Sequence, residues 1–231
     1  MTASNHKPDD KEKRFLEYYQ RLISEIHQAD AHFKLWKRLQ NYRTDSFEEL
    51  NSAPFFFNFT IKAHLDAALM HIFKVIDKTR GSVNIWEFLG FVEKNLGIFS
   101  IEAFSQRIID SEWYETQVKS HIPIASNTVQ EDRAQLRKLE HITRNLKTWR
   151  DKAIAHVDWR FLLKGIDVAK QYPVKIEELE KTITALFEIL NRYSYAYNSS
   201  TYARGWPGED DVQTVMDSIR LVIQEERKRC E

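Results

Sequence analysis

Cysteine is all but missing from this chain. Cys230, next to the last residue, is the single one, which excludes an internal disulfide framework and a cysteine-rich zinc site. Glycine and proline are also scarce, with 6 and 5 among 231 residues, a composition that disfavours sheets joined by tight turns and favours long helices. Net charge is absent as well: 34 basic residues balance 34 acidic ones. The molecule as a whole therefore has no field to attract nucleic acid, and any such affinity must come from a local patch. No apolar run is long enough to cross a bilayer. The first strongly apolar residue, Phe15, follows a charged stretch that lacks the apolar core of a secretory signal, so a cytoplasmic protein without a membrane partner is expected. A glycine-rich phosphate loop and a Gly-x-Ser-x-Gly elbow are missing too, which removes kinase, Rossmann and serine-hydrolase readings.

What the sequence does contain is helical periodicity. Residues 1–12 are polar and charged and are expected to form a disordered tail. Phe15, Tyr19, Leu22, Ile26, Ala29, Phe33 and Trp36 then alternate steps of four and three, lining one face of a helix that runs to about Tyr42. Asn51 to Pro54 break the pattern. Ile61, Leu65, Ala68, Ile72 and Val75 resume it up to the turn at Thr79-Arg80-Gly81. Ser82 is expected to cap a shorter helix that stops at Gly97, and Ser100 another from Ile101 to Asp110. Ser111 to Ser126 holds Ile122-Pro123 and reads as a loop, one candidate cover for the site proposed below. Leu139, Ile142, Leu146, Trp149 and Ala153 stripe a helix beginning near Thr128. Ile176, Leu179, Ile183, Leu186, Leu190, Tyr193 and Tyr197 stripe the next, and Val212, Val215, Ile219 and Val222 the last. No strand alternation, repeat or low-complexity linker interrupts this. The expected fold is all-α, a bundle of about four long helices with two or three shorter ones, in a single domain over residues 13–229.

One stretch carries the residue types of a reaction: Asn145-Leu-Lys-Thr-Trp-Arg150-Asp151-Lys152-Ala-Ile-Ala-His156-Val-Asp158. An Arg, a polar residue directly after it and a His six positions on resemble the Arg-to-His motif of HEPN ribonucleases. The string Arg-Asp-Lys-x-x-Ala-His-x-Asp is similar to the abortive-infection proteins of the U type, the AbiU2-like branch of that superfamily. Arg21 and His27 share the spacing, but Arg21 is followed by Leu22 and sits in the first helix.

The resemblance implies an HEPN helical fold and a metal-independent endoribonuclease, a toxin or antiphage-defence effector. It would cleave an RNA, with tRNA among the candidates, to 2′,3′-cyclic phosphate and 5′-hydroxyl ends without a cofactor. It further implies Arg150 at the phosphate, Asp151 positioning that Arg or a nearby His, His156 transferring protons, a homodimer with the motif near its two-fold axis, and an antitoxin as a candidate partner. The residue types suit that chemistry. An imidazole titrates near neutrality, and a guanidinium offers a permanent charge and a fork of donors. On an uninterrupted helix positions 150 and 156 stand roughly 240° apart, so one chain is ill suited to build the site alone.

Arg137, Arg144, Lys147 and Lys152 belong to a local basic excess, and the first three are expected to form a ridge leading to Arg150, suited to an RNA backbone or simply to solvent. The alternatives stay open: His156 continues an apolar stripe and fits a buried core histidine, and a non-catalytic nucleotide-binding or protein-interaction module has the same pattern. His64 and His71 lie two turns apart with no motif to complete a metal site, and His27 and His32 add none. Tyr193, Tyr195, Tyr197 and Tyr202 suit either base stacking or packing.

Overall fold

The computed structural model describes residues 7–45, 47–151, 168–205, 208 and 210–230. Among them there is no strand. The helices are α1 (Asp10–Asp45), α2 (Phe47–Asn51), α3 (Pro54–Ile76), α4 (Ile85–Lys94), α5 (Ile101–Arg107), α6 (Tyr114–Ser120), α7 (Ser126–Lys138), α8 (Glu140–Trp149), α9 (Val168–Gln171), α10 (Ile176–Asn198) and α11 (Asp211–Cys230), with a 3-10 turn over Leu96–Phe99. The all-α expectation holds, and so does that of four long helices: α1, α3, α10 and α11 have 36, 23, 23 and 20 residues.

Local chemistry sets the boundaries, and several differ from expectation. The helix α1 starts at Asp10 because Asp9 and Glu12 form a reciprocal cap: the Glu12 N–H donates to Asp9 Oδ1 at 2.8 Å and the Asp9 N–H to Glu12 Oε2 at 3.0 Å, satisfying two otherwise orphaned donors. Asn84, not Ser82, caps α4, its Oδ1 accepting from the Trp86 and Glu87 N–H groups at 2.9 and 3.0 Å. Ser82 instead bonds the Thr79 carbonyl at 2.7 Å and so holds the turn, which Gly81 makes possible with φ of +84°. Asn95, not Gly97, ends α4, and the chain tightens at once into the 3-10 turn. Ser100 caps α5 as expected, through the Ala103 N–H at 3.2 Å. The expected loop between Ser111 and Ser126 contains α6, a polar helix that buries none of its residues and so has no apolar stripe to announce it. The helix expected to run from Thr128 through Ala153 is two. Leu139 turns back to bond Arg137 and Leu136 carbonyls, breaking the i to i−4 ladder although the apolar stripe continues through it.

The chain divides into two compact units, the described residues of Met1–Ile26 with Ile72–Ala203, and those of His27–His71 with Arg204–Glu231. In the first, Phe15 is the centre of an aromatic core: its ring lies 4.8 Å from that of Tyr197, 5.3 Å from Phe99 and 5.8 Å from Phe88. Each such ring, fully buried, contributes about 1.5–3 kcal/mol relative to exposure. Two buried ions are compensated there. Arg107 donates to Glu12 Oε1 at 2.6 Å and to the carbonyls of Tyr197 and Ile98 at 2.7 and 2.5 Å. Asp132 accepts from the Tyr193 hydroxyl at 2.6 Å and from Arg192. In the second unit Phe33, Trp36, Leu39, Leu50, Phe57, Ile61 and Met216 make the core, and Asp30 and Glu49 are held by Arg204 and Arg220, each at 2.6 Å.

Candidate functional site

Arg150 closes α8, in the first unit. Ile142 and Leu146 bury the inner face of this helix, and its end is tied down where Trp149 Nε1 and Asn145 Nδ2 donate to the carbonyls of Tyr172 and Pro173 at 2.8 and 2.7 Å. Arg150 and Asp151 then take the wider turn of a π-helix, a distortion that recurs at functional sites. The angular separation expected between positions 150 and 156 rests on residues 152–156, which lie outside the described residues. His156 and Lys152 lie outside the described residues.

The Arg150 guanidinium is gripped on three sides. Its carbon stands 4.1 Å from the centroid of the Phe73 ring, a cation–π contact. Its Nε and Nη2 both reach Asp151 Oδ1, at 2.6 and 2.5 Å. Its Nη1 lies 3.8 Å from Asp77 Oδ2, near enough for ionic attraction but too far for a hydrogen bond. Asp77 is itself fixed, because Thr79 Oγ1 donates to the same oxygen at 2.8 Å. Asp151 thus holds the Arg150 side chain through one carboxylate oxygen. Phe73 and Asp77 were not foreseen: they come from the last turn of α3 and the residue just after it, and no spacing along the chain links them to position 150. Chemically, the arrangement fixes a flat cation while its Nη1 donors have no hydrogen bond among the described residues, leaving them for an anionic oxygen.

The basic ridge is not the continuous one expected. Arg137 sits on α7 and Arg144 and Lys147 on α8, all exposed, with the break at Leu139 between them. Glu140 interrupts the row and bonds Lys78 Nζ at 2.5 Å. That bond and the Lys78 charge hold the Glu140 carboxyl below the usual carboxylate range, with lesser pulls from Arg137 and Arg144. Lys78 also lies 4.2 Å from the centroid of the Trp86 ring.

Three histidines that looked unrelated meet in the second unit. His32 of α1 bonds His64 of α3 through their Nδ1 atoms at 2.8 Å, and the His71 ring stacks on that of His32 at 5.7 Å. Burial pushes His32 and His64 below the usual imidazole value. Among the described residues, no group of three or more His, Cys, Asp or Glu is placed to hold a metal ion. The tyrosine cluster divides: Tyr193 and Tyr197 are buried in the aromatic core, while Tyr195 and Tyr202 are partly exposed. No described helix is long and apolar enough to cross a membrane.

A sequence model of the HEPN_AbiU2 family, described as AbiU2, matches residues 12–216. No curated protein and no solved structure matches the chain.

Proposed function

The chain belongs to the AbiU2 family of HEPN proteins, and from that premise we propose that it is a metal-independent endoribonuclease of abortive infection, a toxin or antiphage-defence effector. The RNA 2′-hydroxyl attacks the adjacent phosphorus, the bond to the 5′-oxygen breaks, and the products are a 2′,3′-cyclic phosphate and a 5′-hydroxyl. His156 takes the proton from the 2′-hydroxyl, and the His156 of a second copy gives one to the departing oxygen. Arg150 neutralises the negative charge that grows on the phosphoryl oxygens, and Asp151 fixes its orientation. Arg137, Arg144, Lys147 and Lys152 track the RNA backbone. The homodimer places two motifs in one cleft.

One observation supports this reading most: Arg150 is pre-oriented by Phe73 and Asp151, yet its Nη1 donors make no hydrogen bond among the described residues. Such a cation needs no reorganisation when charge develops beside it. The experiment is to incubate the wild type and the Arg150→Ala/His156→Ala double variant with total RNA and tRNA in EDTA and to map the cut ends. Cleavage by wild type alone, with cyclic-phosphate ends, is the expected result. Equal cleavage by a well-folded double variant would sink the assignment.

A second reading, a non-catalytic nucleotide-binding or docking module, is favoured by the two carboxylates near the same guanidinium. Asp151 and Asp77 together outweigh its charge, as they would in a purely structural cluster. On that reading neither protein cuts RNA, and the Arg150→Ala variant loses stability instead.

A further inference from the structure

Beside the Arg150 site stands a lysine that the reaction above does not use. Lys78 follows Asp77, whose carboxylate lies 3.8 Å from Arg150 Nη1, and its Nζ stands 4.2 Å from the centroid of the Trp86 ring. The indole is itself fixed, because its Nε1 donates to the Ile76 carbonyl at 3.1 Å. Lys78 is therefore held against an aromatic face and does not owe its place to its ion pair alone. That pair is with Glu140, at 2.5 Å, and both side chains are about half-exposed. Two more cations attend the same carboxylate. Arg137 comes from the last turn of α7, and Arg144 lies one turn further along α8. Both pull on the Glu140 carboxyl in the same sense as Lys78, though more weakly, and neither makes an ion pair among the described residues. A phosphodiester offers its two anionic oxygens to the same kinds of donor as a carboxylate does.

We propose that Lys78, Arg137 and Arg144 form a phosphodiester subsite for a single RNA strand, and that Glu140 fills it in the free protein as an internal competitor. Three cations around one carboxylate leave a local excess of positive charge, which selects an anionic ligand. Glu140 can be displaced because an ion pair this exposed is worth little, whereas a strand that binds gains from the counterions it releases. Glu140 is also exposed in the first turn of α8, so its side chain can turn to solvent without uncovering the core. Trp86 keeps the lysine ammonium in place through the exchange. The subsite presupposes RNA running along Arg137 and Arg144, as proposed above, but not its cleavage.

The test is binding of a short, labelled, 2′-O-methylated single strand, which no 2′-hydroxyl chemistry can cut, followed by fluorescence anisotropy across a range of salt. Glu140→Gln keeps its helical content, since position 140 is exposed, and binds roughly fivefold more tightly than wild type, the order expected for lifting one opposing charge a few ångströms away in water-like screening. The slope of log K against log salt steepens by about 0.7, one further contact on a single strand. Lys78→Gln/Glu140→Gln loses that gain. Glu226→Gln, the same charge change made at an exposed position of α11, does not reproduce it. Equal affinity of wild type and Glu140→Gln, or an equal gain from Glu226→Gln, would overturn the subsite and leave the pair a strut between Lys78 and α8. Failure of both wild type and Glu140→Gln to bind the strand would overturn it too. An RNA that stays uncut while Glu140→Gln still binds more tightly would sink the enzyme and uphold the subsite.

Discussion

Two arginines of the first unit show how differently one residue type is used. Arg107 is sealed in: only 6% of it is exposed, and it donates to Glu12 and to two backbone carbonyls. Removing one partner of such a pair leaves the other charge buried and alone, which costs about 3–5 kcal/mol. Arg107→Ala is therefore expected to lose that amount in urea unfolding, while Arg107→Met combined with Glu12→Gln loses clearly less, since no bare charge is left. Arg150 is held as firmly but at the edge of solvent, with its side chain 28% exposed. Neither setting was legible in the sequence. Glu12 and Arg107 are 95 positions apart and Phe73 and Arg150 are 77 apart, and a single sequence records no pairing at that range. What could be read was the local string from Arg150 to Asp158, because it lies on contiguous residues. The residues that grip its arginine do not.

Elements were legible where an apolar stripe or an unopposed cap marked them. The stripes of α1, α3 and α10 give the correct faces: Phe15, Leu22, Ile26, Ile72, Ile183 and Leu190 are all buried. Ser100 was a readable cap because no competing residue stands near it. Asn84 was not, since Ser82 is also a capping type and only the geometry decides between them. The break at Leu139 escaped because hydrophobic period reports which face is buried, not whether the ladder is continuous. The cap assignment is testable: Asn84→Ala removes both bonds to α4 and should cost about 1 kcal/mol, whereas Ser82→Ala, which loses the bond to Thr79, should cost less. Denaturant midpoints of the two variants, compared at equal slope, would separate them.

At the scale of the whole molecule, pH should act through the histidines of the second unit before the depressed carboxylates of either unit. His32 and His64 are held below the ordinary imidazole value of 6.5, chiefly by burial and, for His32, also by the neighbouring rings of His64 and His71. The unfolded chain thus binds protons more readily than the folded one, and stability falls as pH drops below about 6.5. Glu49, Glu140 and Glu178 are depressed below 4.5, so their contribution is lost only in a separate, lower window. Thermal unfolding between pH 7.5 and 5 should show a falling Tm, and His64→Leu should flatten that slope. A Tm that stays level across this range would show that the imidazoles cluster without thermodynamic consequence.

The company Arg150 keeps also decides what it can recruit. With Asp151 and Asp77 beside it, the immediate surroundings of the guanidinium carry a formal excess of negative charge, so from a distance they repel an anion instead of drawing it in. On the proposed function, long-range capture would fall to the exposed Arg137, Arg144 and Lys147, whose attraction would weaken steeply with added salt. On that function Arg150 would engage only at contact, through its Nη1 donors, once a phosphate is close enough to outweigh the ionic attraction of Asp77. A polyanion that spans both places satisfies both requirements, and inorganic phosphate, too short to reach from one to the other, does not. On the proposed function, the same two carboxylates that neutralise the cation would act as a length filter on what it can hold.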